Sequence, residues 1–265
     1  MTRHHGWVLV ALLALTAAGA LLVPPIPQDP AYHDFADGRT LLGVPNALDV
    51  LSNLPFTVVG ILGIAAVLGS RRVSFVEPSE RRAYAVFFVG VLFTGLGSAY
   101  YHLAPDNDRL VWDRLPMTVA FMALLAAIVT ERVGVREGTR LLVPFVTIGV
   151  GSVLQWHLTE RAGAGDLRLY AVVQFLPLLV VPVLMGLYAS RYTRGADIIG
   201  VVLLYGLAKV FELSDAVVFE LGRLVSGHTL KHLSAAAATW WVLRMLTKRT
   251  PAGEPVNSSG SRGRP

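Results

Sequence analysis

Five side chains in two distant stretches carry the residue types of a hydrolytic metal centre. From Gly95 to Met117 the chain reads GLGSAYYHLAPDNDRLVWDRLPM, which holds Ser98, His102 and Asp113. Ser98 and His102 are four apart, so on a helix they share a face. Far downstream, HTLKHLSAAAA places His228 and His232 at the same spacing. Three imidazoles leave one position of a tetrahedral zinc open for water, and zinc brings the pKa of that water toward about 7. A carboxylate such as Asp113 would then move protons. The hydroxyl of Ser98 would orient the water or polarise a carbonyl.

Each residue also has a plainer use. A lone histidine at a helix end is ordinarily interfacial packing. Asp113 would cap a helix carrying Pro116 in its first turn, and Ser98 beside Gly97 would let two helices approach closely. His228-x-x-x-His232 has the spacing of a zinc-protease helix but lacks the intervening glutamate, so the base must come from elsewhere. Axial ligation of a haem by histidines from two helices, and a Ser98–His102 intramembrane protease pair, stay open as rival chemistries.

The elements that must gather these residues are membrane spans. Of 265 residues, 54% are hydrophobic and 15% charged, against about 25% charged in a soluble domain, and the mean hydropathy is +0.56. There is no cysteine, which excludes disulfides, thiolate ligands and cysteine nucleophiles. Apolar runs fall at about 8–23, 47–69, 83–102, 113–133, 141–158, 168–188, 198–219 and 228–246. The first is short, yet Val-Pro-Pro-Ile-Pro after it is a poor cleavage site, so it reads as an uncleaved span. Residues 250–265, rich in Pro, Gly, Ser and Arg, read as a disordered tail.

The pI near 9.7 points to topology rather than nucleic acid. Arg3; Arg71, Arg72, Arg81 and Arg82; Arg132, Arg136 and Arg140; Arg191 and Arg194; Arg244, Lys248, Arg249, Arg262 and Arg264 fall on one side of the alternation. Arg39, Arg109, Arg114, Arg161, Arg168 and Arg223 fall on the other. The positive-inside rule then predicts eight spans with both termini cytoplasmic. That topology carries Ser98, His102, Asp113, His228 and His232 to the outer end of the bundle at one depth, with Asn46, Asp49, Ser52 and Asn53. In the seventh run Lys209 and Glu212 are spaced to pair, and Asp215 would meet a substrate head group.

Ser98-x-x-x-His102, then Asp113 within Asp-Arg-Leu-Pro-Met, then His228-x-x-x-His232 resembles the alkaline ceramidase family, within a superfamily of seven-span membrane hydrolases that includes the adiponectin and progestin receptor relatives and the haemolysin III proteins. Ser52-Asn53 resembles the family too. The resemblance implies an all-α polytopic bundle of seven core spans, with the first run an addition. The expected organisation is 1–45 as N-terminal span and outer loop, 46–246 as the hydrolase core and 247–265 as the tail. It also implies zinc on His102, His228 and His232, Asp113 as acid/base and Ser98 as its assistant. The reaction implied is cleavage of the N-acyl bond of ceramide or a similar membrane lipid amide, in the bacterial inner membrane with the site near the periplasmic face. A receptor-like or lipid-binding protein without hydrolysis is the alternative within the superfamily. Eukaryotic members bind calcium through an acidic cluster at the first core span. Here Asn46 stands at the position of its glutamate and the Trp-Cys-Glu segment is missing, leaving Asp34, Asp37 and Asp49 as the only substitutes, so calcium is not expected to follow from the resemblance.

Overall fold

The computed structural model describes residues 3–69 and 73–253. Residues 1–2, 70–72 and 254–265 lie outside them, and with them Arg71, Arg72, Arg262, Arg264 and most of the predicted tail. The elements in chain order are α1 (Arg3–Leu22), α2 (Ala47–Leu51), α3 (Leu54–Gly69), α4 (Arg81–Leu103), α5 (Asn107–Arg132), α6 (Val135–Arg161), α7 (Arg168–Leu187), α8 (Asp197–Leu213), α9 (Asp215–Gly222) and α10 (Gly227–Lys248). There is no β-strand among the described residues. Among the described residues five segments are long and apolar enough to cross a membrane: Ala47–Gly69, Pro78–Leu103, Asn107–Arg132, Val135–Arg161 and Arg168–Leu187, with Trp7–Leu22 a shorter apolar helix. The fold is an all-α membrane bundle, as its composition requires.

At the centre stands α5, packed against α4, α6 and α7. It is also the most enclosed of the five segments. On the other side α10 packs on α8 and α3, and α3 on α4. Helices α7 and α8 are neighbours in sequence but pack on each other only sparsely. Outside the bundle, α1 leans on α7. There Arg168, at the start of α7, donates to the Val23 carbonyl at 2.8 Å and so satisfies an acceptor just beyond the end of α1.

Two apolar runs are broken helices. After α2, the Ser52 hydroxyl and the Asn53 amide turn back onto the Asp49 carbonyl at 3.1 and 2.7 Å. Pro55 follows, with no N–H to continue the ladder. In the seventh run the chain breaks at Ser214, between α8 and α9. The start of α5 corrects the sequence reading. The cap is Asp106, which accepts the Arg109 amide at 2.6 Å, so the helix begins at Asn107. Asp113 therefore stands in its second turn, free of capping, and Pro116 lies inside the helix. The start of the predicted tail pairs with the loop before α8: Thr193 N–H meets the Thr250 carbonyl at 2.9 Å and Ala252 N–H meets that of Arg191 at 2.8 Å.

Candidate metal centre

His102 comes from the last turn of α4, and His228 and His232 from the first turns of α10. All three are buried. One ring nitrogen from each can be chosen so that all lie within 4.8 Å of one another, and the ring centroids are 4.7 to 4.9 Å apart. Two glycines allow this convergence. A Cβ at Gly97 would fall 2.8 Å from the Trp112 carbonyl carbon, so α4 touches α5 beside Ser98 and Asp113 only because that position is bare. A Cβ at Gly227 would fall 2.7 Å from Asp215 Cα, so glycine lets the start of α10 sit against the α8–α9 break.

The donor set fits a metal ion of the zinc type. His102 Nδ1 is buried without a hydrogen-bond partner. His232 Nδ1 is 2.8 Å from Ser52 Oγ, which itself donates to the Asp49 carbonyl. That relay makes Nδ1 the protonated nitrogen and directs the Nε2 lone pair inward. His228 Nε2 lies 3.1 Å from Lys231 Nζ. Its lone pair serves a metal when Lys231 turns wholly to Glu212, whose Oε1 is also 3.1 Å away.

Asp113 and Ser98 are buried and within hydrogen-bonding reach of each other. Both line a cavity of about 140 Å³, together with His232, Lys231, Glu212 and Lys209. From this polar end the cavity continues as an apolar shaft between α5, α7, α8 and α10, walled by Leu125, Ile128, Val181, Ile198, Val201 and Val242. Gln174 on α7 donates to the Tyr205 hydroxyl on α8 at 2.9 Å, and both residues line the cavity.

The loop between α1 and α2, outer under the expected topology, covers the histidines. Phe35 stacks 4.5 Å from the rings of both His102 and His228. Sequence reasoning missed this residue, because one aromatic in a polar loop has no periodicity to mark it. Arg39 pins the same loop, donating to both oxygens of Asp37 and to the carbonyls of Arg223 and Leu224. Its guanidinium holds the Asp37 carboxyl below the usual carboxylate range. Asp49 Oδ1 accepts from Thr229 and Ser226. Asp37 is thus engaged by Arg39, and one oxygen of Asp49 by α10. Asn46 instead donates to the His102 carbonyl at 2.8 Å, bracing the end of α4.

Asp215 has a structural part, the reading that stood beside a head-group contact. Its two oxygens accept the His228 amide at 2.7 Å and the Ala36 amide at 2.9 Å. It clamps the start of α10 to the outer loop, and no head group is needed to occupy it. Lys209 and Glu212 pair as their spacing predicted. His33 joins Tyr101 and Asn107, while His157 faces the exposed Asp108, and neither is part of the three-histidine group.

A family model described as Ceramidase matches residues 44–247. A protein from Arabidopsis thaliana described as probable zinc transporter 8 is 24% identical over 140 residues, which is 49% of this chain and 39% of that protein. The aligned stretch thus spans well under half of the transporter's length, and no site residue is assigned from it.

Proposed function

The chain belongs to the ceramidase family, and on that premise we propose that it is a zinc-dependent membrane amidase that hydrolyses the N-acyl bond of ceramide or a similar lipid amide. The observation that carries the reading is the meeting of three buried histidines from α4 and α10 beside Asp113, Ser98 and an apolar shaft. His102, His228 and His232 would hold the zinc ion, which when bound would supply an acidified water and polarise the amide carbonyl. Asp113 takes a proton from the attacking water and delivers it to the departing amine. Ser98 holds the Asp113 carboxyl toward the cavity. The acyl chain lies in the shaft, entering from the lipid side between α7 and α8. Water adds across the C–N bond, giving a fatty acid and a long-chain amine.

The topology proposed with this activity has eight spans, both termini in the cytoplasm and the site near the periplasmic face of a bacterial inner membrane. Its division is 1–45, a hydrolase core at 46–246, and a cytoplasmic tail at 247–265. The loop charges and the common depth of the site residues support it. The test is metal analysis of the purified protein, with release of fatty acid from a labelled ceramide before and after chelation. Stoichiometric zinc and activity that returns with zinc are expected; an active metal-free protein overturns the reading.

A further inference from the structure

A second recess, of about 610 Å³, opens between α3 and α10 at the opposite end of the bundle from the histidines. Leu62, Ala65 and Ala66 of α3 face Trp240 and Leu243 of α10 across it. Its polar end is Arg244, Thr247 and Lys248, in the last two turns of α10. Arg244 stands twelve residues beyond His232 on one helix, about 18 Å along its axis. The groove shares no lining residue with the cavity beside the histidines.

Its wall lies on the outside of the bundle, where lipid chains run. Leu62 and Trp240 are 46% and 48% exposed. Ala65 is exposed between them, and its small side chain leaves the recess open. A tryptophan one turn from the basic end of a span is the ordinary anchor at a membrane–water interface.

The charge at the polar end has one sign. No carboxylate lines the groove, and neither Arg244 nor Lys248 makes an ion pair among the described residues. The acid at the start of the adjoining α8, Asp197, pairs one-for-one with Arg194, as Glu131 does with Arg249. The Arg244 guanidinium lies 5.4 Å from the Trp241 ring centroid, which steadies it at the rim.

We propose that this groove binds an anionic phospholipid, with an acyl chain along Leu62, Ala65 and Trp240 and the phosphate between Arg244 and Lys248. Guanidinium pairs with phosphate through parallel N–H bonds, and the lysine adds a point charge. Basic pockets between spans hold anionic head groups in this way. A choline or ethanolamine head group would bring a third cation to a place with no carboxylate to receive it. Free phosphate would leave the apolar wall bare. A second copy of the chain would set two basic rims against each other.

The full-length protein, delipidated in detergent, is titrated with dioleoyl-phosphatidylglycerol or dioleoyl-phosphatidylcholine, and bound lipid is counted by native mass spectrometry. The first phosphatidylglycerol is expected to bind about tenfold or more tightly than the first phosphatidylcholine. Arg244→Gln and Lys248→Gln should each weaken phosphatidylglycerol about fivefold, the usual worth of one basic residue at a membrane surface, and leave phosphatidylcholine little changed. Arg244→Lys keeps the charge and should keep most of the affinity. Ala65→Leu fills the recess without touching charge and should weaken both lipids. Each variant is compared only where its melting temperature stays near the wild type. None of these residues lines the cavity, so an anionic lipid held there instead would keep its preference in every variant, and that result overturns the proposal. A wild type that binds the two lipids equally does the same. So does a dimer that Ala65→Leu dissociates, without lipid preference, which gives the groove to a second copy. The amidase reading is decided separately, by zinc content and fatty-acid release.

Discussion

Buried charge occurs at both ends of the bundle, in opposite states of completion. At the inner end Glu131 accepts from Tyr84 at 2.6 Å and from Arg249, and Arg249 lies 3.9 Å from the Tyr192 ring centroid. Tyr192 in turn donates to Glu80, which Arg191 approaches at 3.6 Å. Each carboxylate there has its own cation and its own phenol. At the outer end three histidines face one another with no carboxylate, two lysines share one glutamate, and Asp113 opens onto a cavity. The inner cluster ties the residue after α10 to α4, α5 and the loop before α8. Under the proposed function the outer cluster is completed by a bound metal ion. Whether buried charges are matched within the chain thus separates a fastening from a site.

The sharpest way to break the comparison is Asp113→Asn. If the outer cluster is the site, the variant keeps its zinc and loses about 10²–10⁴-fold in turnover, the usual worth of a positioned general acid–base. Asparagine matches the size of the side chain, and Asp106 rather than Asp113 caps the helix, so folding should survive. Turnover measured alongside zinc content decides it. A fully active variant removes Asp113 from the chemistry, and a metal-free one makes it a ligand or a support for one.

Glu131→Gln examines the other end. It leaves Arg249 buried without its counter-charge, and breaking a buried pair costs about 3–5 kcal/mol. The expected outcome is a large fall in melting temperature in detergent with turnover per folded molecule nearly unchanged. Replacing the pair together, Glu131→Leu with Arg249→Met, should recover most of the loss. Loss of turnover in the folded single variant would erase the distinction between the two ends.

The sequence makes the outer end legible because its chemistry is periodic. Histidines at i,i+4 declare a shared helix face, and alternating loop charge sets their depth without reference to them. What it leaves hidden is aperiodic. The start of α5 is polar, so hydropathy places it at Asp113, six residues after Asn107, where Asp106 begins the helix. Phe35 reaches the histidines from an irregular loop. Asp215 looks like a head-group contact until the backbone amides of Ala36 and His228 arrive from two other segments. Lys231 counts as one more basic residue in a span until Glu212 is seen to pair with it and with Lys209.

The smallest expected effect tests how the metal centre is supported. Ser52 Oγ lies 2.8 Å from His232 Nδ1 and passes the hydrogen bond on to the Asp49 carbonyl. In Ser52→Ala the Nδ1–H loses the Ser52 hydroxyl and is left with the Asp49 backbone, with which His232 also interacts. Asn53, whose amide nitrogen is 3.5 Å from Nδ1, can accept there only by turning its oxygen round. That rotation would take its N–H from the Asp49 carbonyl, which it now meets at 2.7 Å. Outer-shell partners of metal-bound histidine are typically worth about 10–100-fold in affinity or activity. Ser52→Ala should weaken zinc binding by that factor in a competition with a chelator of known affinity, while turnover at saturating zinc changes little. Unchanged affinity would mean that packing alone orients His232. A variant that cannot be loaded at any zinc concentration would mean that the α2–α3 break itself depends on the Ser52 hydroxyl, making it a structural residue of the bundle.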